Sequence, residues 1–250
     1  MSCIHAFGST RTAYRRDHIL QTPDTFVRAS LPGMKDCTAI VHTGPASGAG
    51  FTEYTAEMEP RGQLGPASGQ RFLYVLEGSV ALSGTDGNVL NRGGYAYMPP
   101  GDLTAVVAEE KSRIVVIEKQ YEKLEDCAVP RAFHGSEDRI QAQALLGDED
   151  LQVRSLIPAG IEYDFAVNTM TFQPGASLAA VEMHVMEHGL LMLDGGGVYR
   201  LGDYWYPVSA GDFIWMAPYC PQWFGALGKK PARYLIYKDW NRHPVARVAL

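Results

Sequence analysis

The feature that most restricts the folds open to this chain is a self-similarity between its two halves. YVLEGSVAL (74–82) is echoed by LMLDGGGVYRL (191–201), LNRGGYAYMPPG (90–101) by VSAGDFIWMAPYCP (208–221), and Arg113-Ile-Val-Val-Ile-Glu-Lys119 by Arg233-Tyr-Leu-Ile-Tyr-Lys238. Gly78 maps onto Gly195 and Gly94 onto Gly211 at one constant offset of 117 residues. Order and spacing held over that length mean one supersecondary unit used twice. Within each unit, short runs rich in Val, Leu, Ile, Tyr and Phe alternate with Gly, Pro, Asn or Asp, as in FTEYTAEM, RFLYVLEGSVALS and RIVVIEKQY. Such runs at such spacing predict antiparallel strands of a sandwich or barrel, and Thr85-Asp86-Gly87-Asn88 carries a D-G hairpin signal. The expected fold is all-β, with two tandem barrels of similar design, each smaller than an ordinary domain and packed together.

The boundaries follow from punctuation. Residues 1–50 are broken by Pro23, Pro32, Gly33, Gly44, Pro45, Gly48 and Gly50 and are read as an arm, with Thr38–His42 its clearest strand. Residues 51–121 form the first barrel. Residues 122–152 are polar and acidic and are read as a linker with one short helix, and 153–250 form the second barrel.

Composition narrows the partners. A formal charge of −6 with no Lys/Arg cluster argues against nucleic acid and against a polybasic membrane surface, which leaves a small molecule as the expected partner. No apolar run approaches the ~20 residues of a membrane span, and Arg11, Arg15, Arg16 and Asp17 interrupt the opening segment, so a cytoplasmic protein is expected. The 4 cysteines, Cys3, Cys37, Cys127 and Cys220, have no C-x-x-C spacing and are read as unpaired thiols. Cys220 lies near the candidate site, but no base stands beside it in sequence, so it is given no role. His42 is read as a packed histidine, and His5, His18, His134 and His243 are assigned none.

The chemistry concentrates in Glu182-Met183-His184-Val185-Met186-Glu187-His188. In an extended strand, side chains two apart share a face, so Glu182, His184 and His188 are expected to point together, with Met183, Val185 and Glu187 turned away. Imidazole nitrogen and carboxylate oxygen suit a divalent ion such as Mn, Fe, Ni or Zn with coordination positions left for substrate. The same residues also admit a hydrogen-bonded surface cluster.

Context favours the metal. Pro174-Gly175, Glu182-x-His184-x-x-x-His188, Gly195, Gly211-Asp212, Pro218 and Gln222 resemble the two motifs of a cupin. Glutamate stands for the first histidine of the usual motif, histidine for its glutamate, and Gln222 lies near the place of the closing histidine. With EMHVMEHG, GGGVYRL, APYCPQ and YKDWNR, nearly the whole chain resembles the (S)-ureidoglycine aminohydrolase family of bicupins, built from two tandem double-stranded β-helix (jelly-roll) barrels. The resemblance implies Mn(II) on Glu182, His184, His188 and Gln222, and substrate-side roles for Tyr199, Tyr234 and Lys238. Among these, Glu182, Lys238 and Tyr199 would act in catalysis. It further implies release of ammonia from ureidoglycine in allantoin and purine degradation, by a homo-oligomer. In the first repeat Arg71 and Thr104 stand near the matching ligand positions and cannot complete a site, so that barrel is expected to hold no metal. The ligand mixture alone leaves open a non-hydrolytic cupin, either an Fe-dependent dioxygenase or a sensor that binds a small acid.

Overall fold

The computed structural model describes residues 10–84 and 89–239 of the 250-residue chain. The hairpin expected at 85–88, and His5, His243, Cys3, Trp240 and the Asn241-Arg242 end of the last motif, lie outside the described residues. Among the described residues the regular structure is β-strand, joined by three short 3-10 turns, and no helix is long and apolar enough to cross a membrane.

The repeat is visible in strand order. In a ten-stranded sheet Gly94–Met98, Gln70–Glu77, Ser112–Lys119 and Thr52–Leu64 are neighbours in that sequence. In an eight-stranded sheet Phe213–Met216, His188–Asp194, Ala232–Lys238 and Ala166–Phe172 repeat the arrangement. A three-stranded sheet, Tyr204–Ser209, Gly196–Leu201 and Gln222–Ala226, faces the eight-stranded one across an apolar core containing Leu190, Tyr199, Phe224 and Tyr234. Equivalent glycines hold equivalent turns. Gly78 and Gly195 have φ of +74° and +68°, and a Cβ would stand 2.5 Å from the Lys111 carbonyl oxygen at the first and 2.5 Å from that of Pro231 at the second.

The central strands are apolar on both faces because both are covered. Phe72, Val115, Ile117, Phe213, Trp215, Leu235 and Tyr237 meet in one core between the two large sheets. The residues between them, Leu73, Val116, Ile214 and Ile236, point instead into the separate core of their own half. This is the period-two geometry of a strand applied to a sheet buried on both sides.

The segments read as arm and linker are woven into the sheets. His18–Gln21 pairs with Phe213–Met216 and so forms part of the second half's sheet, while Phe133–Ser136, inside the expected linker, pairs with Gly94–Met98 of the first. Met34–Thr43 lies along Thr52–Leu64. The expected helix between 122 and 152 is absent; that segment carries three strands or strand beginnings and the 3-10 turn Glu137–Arg139. The physical reason is edge satisfaction. Each crossing segment hydrogen-bonds a strand whose far side would otherwise present bare N–H and C=O groups. Arg11 fastens the crossing, with its guanidinium NH2 donating to the buried Asp212 carboxylate at 2.9 Å.

Candidate metal centre and substrate cavity

Glu182, His184 and His188 do not lie on one strand, as their spacing predicts. Glu182 forms an isolated bridge with Gln222, closed by two backbone hydrogen bonds of 2.8 and 2.9 Å. The chain bends at Val185–Met186, and a regular strand begins only at His188. The three nevertheless line one cavity of about 300 Å³, together with Gln222, Tyr199, Tyr234 and Lys238, so all seven residues singled out from sequence share it.

Two pairings build this convergence. The bridge sets Glu182 beside Gln222 on one wall. On the other, His188 is directly across from Lys238 in the ladder between His188–Asp194 and Ala232–Lys238. Along that last strand Tyr234, Ile236 and Lys238 all line the cavity, as alternation requires. Tyr199, almost wholly buried, approaches from the three-stranded sheet, and its hydroxyl is 3.5 Å from the Gln222 side-chain oxygen.

The cavity holds an uneven set of charges. His184 Nε2 is 3.1 Å from Glu182 Oε2, and both side chains are about one-third exposed. His188 is buried, its ring 5.1 Å from that of His184 and roughly edge-on. Burial first, then the Lys238 charge, holds His188 well below its ordinary pKa, so it is neutral and carries a free lone pair. Burial likewise lowers Lys238, with the Glu182 carboxylate opposing the shift. The Tyr199 hydroxyl is pushed well above the phenol range by burial and then by Glu182, and stays protonated as a donor.

These residues fit a divalent cation. One carboxylate, two imidazoles and one amide oxygen open on the same space, and Nδ1 of His188 is buried without a hydrogen-bond partner. Glu182 and His184 meet at 3.1 Å, but the described residues whose ligand atoms all lie within 4.8 Å of one another are a different trio, Asp17, His18 and Cys220.

The first half braces this site without entering it. Glu187 points away from the cavity, as expected, and accepts hydrogen bonds from Gly50 N at 2.9 Å and Trp215 Nε1 at 3.0 Å, which fixes the residue before His188. Lys119 reaches Asp239, the residue after Lys238, at 3.0 Å and the buried Asp164 at 3.2 Å. At the position matching His188, Arg71 is buried and paired with Glu118 at 2.6 Å, while its NH1 donates to the Gly65 carbonyl. The backbone N–H of Thr104 donates to the Asp102 carboxylate at 2.7 Å. Arginine and an ion pair fill that place. His42 is a packed histidine as read, hydrogen-bonded to Gln21 and Thr55.

Sequence reasoning missed the cavity's apolar lining: Leu145, Leu146, Met170, Leu178 and Met186. Leu145 and Leu146 come from the segment read as linker, where ALLGDED held an overlooked signal, an apolar pair followed by a Gly-Asp turn between two strands. Cys220 also requires correction. Its sequence neighbours offer no base, but the fold sets Asp17 and His18 beside it.

Residues 168–237 match the cupin domain family. Over 242 residues, 95% of this chain and 78% of the relative, it is 43% identical to a probable (S)-ureidoglycine aminohydrolase of Oryza sativa subsp. japonica. It is 34% identical to the (S)-ureidoglycine aminohydrolase of Escherichia coli (strain K12), with 89% of this chain and 88% of that protein covered. The crystal structure of the E. coli protein Ylba superposes with a TM-score of 0.83 at 30% identity, covering 96% of this chain and 98% of that one. Cupin-type in fold and related along nearly its whole length to these enzymes, the chain belongs to the (S)-ureidoglycine aminohydrolase family.

Proposed function

We propose that this protein is a bicupin that hydrolyses (S)-ureidoglycine to (S)-ureidoglycolate and ammonia in allantoin and purine degradation, with Mn(II) held by Glu182, His184, His188 and Gln222. The observation that carries the reading is the meeting of four ligand-type side chains with a lysine and two buried tyrosines around one small cavity. Under it, residues 51–121 form a metal-free barrel and 153–250 the working one, in a cytoplasmic homo-oligomer whose partner is a small molecule.

The reaction exchanges an amine for a hydroxyl at a carbon that bears a carboxylate and a ureido nitrogen. When bound, Mn(II) would supply Lewis-acid polarisation and charge neutralisation beside that carbon. The residues supply the rest. Lys238, whose ammonium form burial disfavours and the Glu182 carboxylate favours, anchors the substrate carboxylate. Its neighbour across the ladder, His188, keeps a neutral lone pair because it is buried. Glu182 is the group placed to accept a proton from water and return it to the departing amine, a relay for which a carboxylate is better suited than a second imidazole. Tyr199 and Tyr234 donate from walls that are otherwise apolar, and Leu145, Leu178 and Met186 restrict bulk water.

The test is ammonia release from freshly generated (S)-ureidoglycine by the Mn(II)-loaded protein, compared with the spontaneous rate. No excess over that rate removes the hydrolytic reading and leaves a cupin that binds a small acid or oxidises one.

A further inference from the structure

We propose that Asp17, His18 and Cys220 form a second cation site, of the zinc class, which fastens the N-terminal crossing strand to the loop that carries Gln222. The three residues are brought together from opposite ends of the chain, and one ligand atom from each lies within 4.8 Å of the other two. His18 and Cys220 are buried, 0% and 3% exposed, while Asp17 lies at the solvent edge, so the site has an entry path. Asp17 Oδ1 is 2.9 Å from His18 Nδ1. Around zinc, with metal–ligand bonds of about 2.0 to 2.3 Å, a tetrahedron has edges of roughly 3.3 to 3.6 Å, so the three groups need only small movements to share an ion. A thiolate, an imidazole and a carboxylate form a softer set than the sulfur-free nitrogen and oxygen donors of the main cavity, and they favour zinc over manganese.

The surroundings fit a ligating histidine. His18 Nε2 is 2.9 Å from the Tyr206 hydroxyl, which can accept a hydrogen bond from Nε2–H and so leave Nδ1 for the cation. The cluster is tied to the main site through one loop. Ala217 N donates to the Asp17 carbonyl at 2.9 Å, Tyr219 N to the His184 carbonyl at 2.7 Å, and Gln222 follows Cys220 by two residues. Cys220 does not line the substrate cavity, so the two sites are separate.

The test is titration of the full-length, Mn(II)-loaded protein with Co(II), read by the near-ultraviolet thiolate-to-cobalt charge-transfer band. A band saturating at one equivalent per chain, persisting in His184→Ala, lost in Cys220→Ser, weakened at least tenfold in affinity in His18→Gln and bleached by added Zn(II) supports the site. No band in the native protein overturns the proposal, as does a band unchanged in Cys220→Ser or in His18→Gln. The His18 variant decides the matter even where the serine variant fails to fold.

Discussion

Glu53 offers a sharp test of how the two halves are joined. It is 1% exposed near the start of Thr52–Leu64, and its Oε2 has no hydrogen-bond partner among the described residues. Nearby, the Phe51 ring stacks on Tyr237 at 3.9 Å, and a Cβ on Gly189, the residue after His188, would stand 2.6 Å from Glu53 Oε2. Burial alone pushes the Glu53 carboxyl up from 4.5 to about 8. In the unfolded chain the group ionises at its ordinary value, so between pH 4.5 and 8 the unfolded state binds fewer protons than the folded one. Stability therefore falls as pH rises through that window. At about 1.4 kcal/mol per pH unit, the loss at pH 7 is about 3 kcal/mol. Glu53→Gln keeps the shape and cannot ionise, so it removes the penalty. Urea unfolding of both proteins at pH 4.5 and pH 7 should show the variant gaining about 3 kcal/mol on the native protein between the two, or roughly 6 to 12 °C in melting temperature. A stability difference that does not change with pH would refute the assignment of Glu53 as a buried neutral acid.

Two further outcomes follow from the main cavity. His184→Ala should abolish Mn(II) uptake measured by elemental analysis, whereas Thr104→Ala should leave it unchanged, because the matching place in the first half is taken by the Arg71–Glu118 pair. Lys238→Met should lower kcat/KM for (S)-ureidoglycine by about ten- to a hundredfold, the worth of one charged hydrogen bond to the substrate, with the loss appearing mainly in KM if the lysine anchors the carboxylate.

Much of this molecule could be read directly from its residues. The repeat and the spacing of turn residues settled an all-β chain, because a strand's need for alternating burial and a turn's need for glycine are local requirements. Glu182, His184 and His188 were legible for a related reason, since ligand chemistry restricts residue type wherever the backbone goes, whereas Gln222, Tyr199, Tyr234 and Lys238 came only through the resemblance to a family. What spacing predicted wrongly was the route: Glu182, His184 and His188 reach one cavity from a bridge, a bend and a strand start rather than along one strand face. Tertiary structure alone decided which segment covers which sheet edge. His18–Gln21 crosses to the second half and Phe133–Ser136 returns to the first, placing Asp17 and His18 beside Cys220, some two hundred residues away. No local pattern encodes such a pairing. It arises because an open edge and an uncovered apolar face can be satisfied by any strand of suitable pattern, and the choice is made only when the whole chain is packed.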